Sequence, residues 1–411
     1  MNQKSGRVSI VKCKDYDKKN LKEAIKRCVG LIGGFEKFLD SHSKILLKPN
    51  LLLSAPPERA ITTNPLFIEA VIENIVDITG KSKNILIADS FGPATPYNKK
   101  GMEKIYGATG MLDIAERTGC RLNYSAEYEF LSNKKGRILK RIEVIKPIIE
   151  ADVIINLPKF KTHNLTVITG AIKNMFGIIP GFNKVGYHLR FDDLEKFAGM
   201  LLDIISFIKP ALNIMDGIWG IEGEGPGRRG TPRNVGLILA SSDSISMDII
   251  MSRIMNIPEA LNPFIEVLKK WNAGSYATGD IEVAGEKLSD TIIYDFKIPE
   301  STGQKRLITN NFINTYILPL VRNSLNPYLY VDYDKCSLCM TCQNICPQKS
   351  ITSDNKKIKF NHRTCIRCFC CSEMCPEGAI GIKYPFLGNL IFNWLGMAGK
   401  LSRKRKPPDK R

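Results

Sequence analysis

Short, nearly continuous apolar runs recur along the chain from Val8 to about Phe296. They are separated by stretches in which apolar side chains return every three or four positions. Val8–Cys13, Lys44–Lys48, Asn84–Ala88, Val153–Leu157, Leu212–Met215 and Val235–Ala240 are too short for helices and rich in Ile, Leu and Val. Such runs suit strands buried on both faces, as in a parallel sheet. Helical patterns lie between them. Asn64 and Pro65 supply a cap and a first turn for Leu66–Ile78, and Gly80 a stop. A second amphipathic run opens at Asp192 and passes through Leu201 to Ile208, before Pro210. Strands alternating with helices predict an α/β domain with a mainly parallel sheet over residues 1–305.

The pattern then changes. Residues 306–329 read as a connector, interrupted by Asn310, Asn311, Pro319, Asn323 and Pro327. Beyond it, Val331–Ile351 and Phe360–Ile380 match in a constant register, Cys336 falling on Cys365 and Pro347 on Pro376. Two similar halves, about 330–355 and 356–385, imply a small duplicated α+β module with a pseudo-two-fold axis.

Charge adds one constraint. Lys and Arg outnumber Asp and Glu by 59 to 41 in 411 residues, a formal charge of +18. Residues 381–411 hold eight basic residues and one acidic, and no basic stripe marks the rest. A nucleic-acid partner is therefore not expected. No apolar run approaches the ~20 residues of a membrane span, and the polar amino terminus lacks a signal-peptide core, so the expected compartment is the cytoplasm. In a reducing compartment, twelve cysteines point to metal or redox chemistry rather than disulfides.

Nine of the twelve fall between Cys336 and Cys375. The first half reads Cys336-x2-Cys339-x2-Cys342-x3-Cys346-Pro347, the second Cys365-x2-Cys368-x2-Cys371-x3-Cys375-Pro376. Three thiolates on a tight loop can cap three corners of a four-iron cubane, and a fourth just beyond can reach a second cubane. Structural zinc instead uses paired C-x2-C knuckles with a longer spacer. Residues 330–380 resemble the bacterial 2[4Fe-4S] ferredoxin domain. The resemblance implies two clusters, one on Cys336, Cys339, Cys342 and Cys375, the other on Cys365, Cys368, Cys371 and Cys346. Cys370 is surplus and reads as a free thiol packed nearby. The isolated Cys13, Cys28 and Cys120 read as small apolar core residues.

In open α/β sheets, ligands bind beyond the carboxyl ends of the strands. Here those ends are polar: Lys48-Pro49-Asn50, Asp89-Ser90, Pro158-Lys159-Phe160-Lys161-Thr162-His163, Asp216-Gly217 and Asp243, with Lys173, Asn174 and His188 further along. Lys159, Lys161, His163, Lys173, His188 and Asp216 form a candidate catalytic set. The lysines would hold a carboxylate or phosphate, and a histidine would handle protons. Gly225-x-Gly227-x-x-Gly230 spells a dinucleotide fingerprint, but a strand follows it instead of a helix, which argues against that use. Gly217–Gly230 reads instead as a loop over the pocket, with Glu222 and Glu224 placed to pair with the lysines or a cation. Over residues 1–380 the chain resembles the family called domain of unknown function 362, through Lys48-Pro-Asn50, Pro158-Lys-Phe-Lys-Thr-His163, Gly170-Ala-Ile-Lys-Asn-Met-Phe-Gly177 and Asp216-Gly-Ile218. That resemblance implies the fold and the fused cluster module but no particular chemistry.

The expectation is an iron–sulfur oxidoreductase that moves electrons between two [4Fe-4S] clusters, an electron donor or acceptor protein, and an anionic substrate or cofactor. A non-catalytic electron carrier and a redox or ligand sensor are the rivals, and no flavin or other organic cofactor is legible. Finally, Phe386–Met397 places a Trp-bearing apolar face before a basic tail, a pattern that suits peripheral contact with an anionic membrane or packing within the protein.

Overall fold

A computed structural model describes residues 6–181, 183–191, 193–274, 276–300, 328–354 and 357–383. The connector up to residue 327 and the apolar segment and basic tail beyond Lys383 lie outside the described residues.

The large domain is built on one sheet. In chain order its strands are β1 (Arg7–Lys12), β2 (Ile45–Pro49), β3 (Ile85–Ile87), β4 (Arg121–Leu122), the side hairpin β5 (Tyr128–Ser132) and β6 (Arg141–Ile145), β7 (Val153–Leu157), β8 (Lys159–His163), β9 (Val167–Ile168), β10 (Leu212–Gly223), β11 (Gly230–Ser241) and β12 (Glu282–Gly285). The spatial order is β12-β1-β11-β10-β7-β2-β3-β4, with β8 and β9 attached beside β10. Side chains alternate between two cores, as a period of two demands. Leu46, Ile154, Met215 and Leu239 face one core, while Leu47, Ile155, Ile214 and Ile238 face the other. Helices Leu194–Ile208, Ser244–Ile254 and Pro263–Lys270 cover the first, and helices Lys18–Gly30 and Pro65–Thr79 the second. The cap read at Asn64 forms: its side chain accepts from Leu66 N, and Gly80 ends the helix at φ 66°.

Four sequence expectations are corrected. Val235–Ala240 belongs to β11, which runs antiparallel to both its neighbours. The glycine-rich stretch is not a long loop, because β10 and β11 are twelve-residue strands and only residues 224–229 turn between them. The helix read as opening at Asp192 is capped by Asp193, whose carboxylate accepts from Glu195 N and Lys196 N. Asp243 likewise caps the helix Ser244–Ile254 and lies outside the lining of the cavity that Lys161 and Lys173 share.

The small module repeats itself in space. Strand Tyr328–Val331 pairs with Ile380–Lys383, and Ile351–Asp354 with Lys357–Phe360, so each pair joins one strand from each half. Helix Thr341–Asn344 of the first half recurs at the equivalent place in the second as Cys370–Glu373.

Candidate functional site

The segment Lys159–His163 is not the loop its polarity suggests. It continues β7 past Pro158 along the edge of β10, pairing Asp216 with Lys159 and Ile221 with Lys161, and every one of its residues is buried. Alternation then sends its lysines to partners within the protein. Lys159 Nζ lies 2.6 Å from Asp216 and donates to Tyr16 Oη at 2.9 Å, while Tyr16 donates to the same carboxylate at 2.8 Å. Lys48 makes a comparable buried pair with Asp89 at 2.7 Å. Gly177 makes room for it: a Cβ there would collide with the Asp89 carboxylate and lie 2.6 Å from Lys48 Nζ. Burial draws both lysines below their ordinary pKa, and the facing carboxylates oppose that shift.

Lys161 and Lys184 have only neutral partners. Lys161 donates to Asn50 Oδ1 at 2.9 Å and to the Ile61 carbonyl at 2.7 Å. Lys184 donates to Phe91 O at 2.9 Å, Ser90 Oγ at 2.8 Å and Ser90 O. Burial lowers each to about 7, with neighbouring lysines adding repulsion. Lys173 stands on the four-residue helix Ala171–Asn174, whose first N–H groups are held by the Asp248 carboxylate. Its ammonium lies 5.6 Å from the centre of the Phe176 ring.

These three lysines line one cavity of about 60 Å³, with Asn50, Ser90, Asn174 and His188. One water needs about 10–15 Å³ by this measure, so a small molecule fits. Two carboxylates reach the same wall, Asp89 and Glu373. Asp89 is taken up by Lys48, which leaves three lysines opposite Glu373. A cavity so unbalanced favours an anion.

Both histidines are kept neutral. His163 Nδ1 accepts from Leu165 N at 2.9 Å and Thr166 N at 3.2 Å, which assigns the proton to Nε2. Nε2 has no hydrogen-bond partner and points toward Glu373 Oε2, 3.6 Å away. His188 stacks on Phe197 at 4.6 Å. Burial, aided by Lys173, lowers His163 to about 4 and His188 to about 3. For Glu373, burial opposes ionisation, but Lys173 and the facing Nε2–H of His163 hold the carboxyl below its usual range.

Glu373 belongs to the cysteine module, and so do Cys370 and Met374, which complete the cavity wall. Cys370 and Met374 pack with Leu53, Ala60, Ile61 and Ile221 of the large domain. Arg229 donates to the Gly378 carbonyl at 3.3 Å. Within the module the two cysteine loops share one backbone geometry. Leu338 and Met340 have φ 53° and 59°, and their repeat counterparts Arg367 and Phe369 have 56° and 62°. Ser350 N donates to Cys346 Sγ and, at the equivalent place in the second half, Ala379 N donates to Cys375 Sγ, both at 3.2 Å. Cys342 lies near Cys375, Cys339 and Cys336, Cys365 near Cys368 and Cys346, and Cys371 near Cys342 as well as Cys368, Cys365 and Cys346. Cysteines on two equivalent tight loops, with N–H donors to sulfur, are the kind of donor set that iron–sulfur clusters use.

Comparison with known proteins now decides the family. The family described as "Domain of unknown function (DUF362)" matches residues 45–253. The chain belongs to this family. A 4Fe-4S dicluster domain matches residues 328–376 of this DUF362 protein, which makes it an iron–sulfur protein. A thylakoid-associated protein of Synechocystis is 28% identical over 323 residues, 75% of this chain and 94% of that protein. The lactate racemase apoprotein from Thermoanaerobacterium thermosaccharolyticum aligns with a TM-score of 0.36 and 12% identity, over 61% of this DUF362 protein and 57% of its own chain.

The expected set is thus divided. Lys161, Lys173, Asn174 and His188 line the cavity, with His163 beside it; Lys159 and Asp216 pair with each other outside the lining. Glu222 sits near Arg233 and Lys297, and Glu224 accepts from Glu300 N, so neither pairs with the cavity lysines. Sequence reading missed Lys184, Glu373 and Tyr16. The first two stand on helices away from the strand ends where ligands were sought, and Glu373 arrives from a different domain.

Proposed function

We propose that this DUF362 protein is an oxidoreductase that carries electrons between two [4Fe-4S] clusters and a small anionic substrate or cofactor held in the lysine cavity. One observation carries the reading: the helix Cys370–Glu373, which contains the cluster cysteine Cys371, also forms a wall of that cavity. Cys336, Cys339, Cys342 and Cys375 would hold one cluster, and Cys365, Cys368, Cys371 and Cys346 the other. Bound clusters supply one-electron steps, at potentials that span about −700 to +450 mV among proteins.

The chain's own residues do the rest. Lys173 pairs with the anionic group, and Lys161 and Lys184 take up protons as it enters, since a nearby anion restores their charge. His163, with its proton fixed on Nε2, and His188 are neutral and act as proton donors or relays. Phe176 and Met374 exclude water, which strengthens each of these contacts. A lysine-lined cavity beside a cluster loop favours this reading over a carrier that merely docks on a partner.

The test is mass spectrometry of small molecules that co-purify anaerobically. A carboxylate or phosphate ester retained by the wild type and lost from Lys173→Ala, with iron unchanged, supports the reading. Retention of the same compound by both proteins contradicts it.

No helix among the described residues is long and apolar enough to cross a membrane. The thylakoid association of the Synechocystis relative favours peripheral contact by residues 386–411 from the cytoplasmic side. Full-length protein should co-sediment with anionic vesicles and a truncation after Tyr384 should not; equal partitioning would end that proposal.

A further inference from the structure

Helix Asn183–Arg190 has two working faces. Lys184 and His188 line the lysine cavity, while Asn183, Gly186, Tyr187 and Arg190 line a separate groove of about 940 Å³ on the other side. The Tyr187 ring meets the Phe176 ring of the cavity wall at 6.2 Å, so one layer of side chains divides the two spaces. The cysteine module contributes to both in the same way. Cys370 and Glu373 face the cavity; Cys346, Pro347 and Lys349 face the groove. Because Cys346 and Cys371 are assigned to one cluster, that cluster lies between the groove and the cavity.

The groove is basic. Arg141, Arg190 and Lys349 are all exposed on its rim, and among the described residues none of them is in a salt bridge with a carboxylate. Arg141 instead stacks 4.0 Å over the half-exposed ring of Phe130. Glu143, the one acidic residue of the lining, is occupied by Asn183 Nδ2 at 2.6 Å.

Lys349 adds an independent observation. It sits at φ 50°, in the left-handed region that costs a residue with a side chain roughly 1 kcal/mol or more. Its counterpart in the second half of the repeat is Gly378 at φ 59°, for which that conformation carries no such cost. The first half therefore keeps a lysine beside Cys346 where the second half uses the residue the backbone prefers. Backbone geometry does not call for a lysine there.

We infer that this groove is the docking surface for a small acidic one-electron carrier protein, which exchanges electrons through the cluster at Cys346. The carrier loses one electron and the cluster gains one, or the reverse; no bond is made or broken. This rests on the cluster assignment proposed above, and not on what the cavity binds.

The test uses the full-length holoprotein, prepared anaerobically and oxidised, with a reduced acidic [2Fe-2S] ferredoxin as probe. Cluster bleaching is followed by stopped flow. The second-order rate should fall at least about tenfold as ionic strength rises and the Debye length shrinks from about 30 Å at 0.01 M to about 3 Å at 1 M. The R141E/R190E/K349E variant should lose at least about tenfold in that rate at low salt. It should also lose binding to immobilised ferredoxin, while dithionite still reduces its clusters normally. Lys349→Gly should slow exchange and raise the melting temperature together, since a purely structural lysine would change only the second. If the triple variant loses iron, Lys349→Gly alone decides. Unchanged rates in both variants, faster exchange with a cationic carrier, or saturable binding of a flavin nucleotide lost in the triple variant would each overturn the inference. Charge-dependent exchange without any anion effect on the clusters would instead count against the cavity reading and leave the docking surface standing.

Discussion

At the scale of single residues, the chemistry of the site is set by which lysines have carboxylate partners. Lys159 and Lys48 have them. Removing one member of a buried pair strands the other charge, so Asp216→Ala should cost about 3–5 kcal/mol of stability. Lys159→Met with Asp216→Leu should cost less than Asp216→Ala alone, measured by denaturant unfolding. Lys161 and Lys184 lack such partners, and their depressed values near 7 give a pH signature. Between about 7 and the ordinary 10.5 the folded protein binds fewer protons at these lysines than the unfolded chain does. Their contribution therefore makes stability rise with pH across that window. Anion binding follows the opposite trend. Each lysine that must take up a proton weakens affinity by about tenfold per pH unit above 7, a slope that titration calorimetry with phosphate or oxalate would show. A flat affinity profile from pH 6 to 9 would contradict the assignment. That Lys161 and Lys173 stand at a common site was legible from their place after a strand, and both line the cavity. Which lysines are neutralised was not, because Tyr16 and Asp89 reach them from distant parts of the chain.

At the scale of elements, the strands, the capped helix after Asn64 and the duplicated module could all be read from apolar periodicity and cysteine spacing. Two of the errors share one cause. Lys159–His163 and the glycines of β10 look like loop sequence, yet both are strands, because a long neighbouring strand offers backbone partners regardless of side-chain polarity. The short helix Ala171–Asn174 shows a related dependence. Its start is held by Asp248 from the helix Ser244–Ile254, the carboxylate accepting from Ala171 N and Ile172 N at the head of the turn that carries Lys173. Asp248→Ala leaves those N–H groups unpaired and should destabilise the protein by about 1–3 kcal/mol. It should also weaken anion binding, through displacement of Lys173. Stability lost with anion affinity intact would mean that Lys173 is placed by something else.

At the scale of the whole molecule, the cavity lies in the seam between two domains, and that is why the sequence reveals each part but not the site. The cluster module is recognisable from residues 330–380 and the lysines from the large domain. Nothing in either shows that Glu373 and Cys370 close the cavity. The seam is tight at Gly227, where a Cβ would come within 2.5 Å of the Glu373 carbonyl. Gly227→Ala should push the module outward, leaving iron content unchanged while it weakens coupling between cavity and cluster. That coupling is the central claim, and it is most directly tested by redox titration of the clusters, followed by electron paramagnetic resonance, with and without phosphate or oxalate. An anion beside the Cys371 cluster should lower the potential and alter the signal of that cluster alone, and Lys173→Ala should abolish both effects. Identical potentials and spectra with and without the anions, at concentrations where calorimetry shows the cavity filled, would contradict the account.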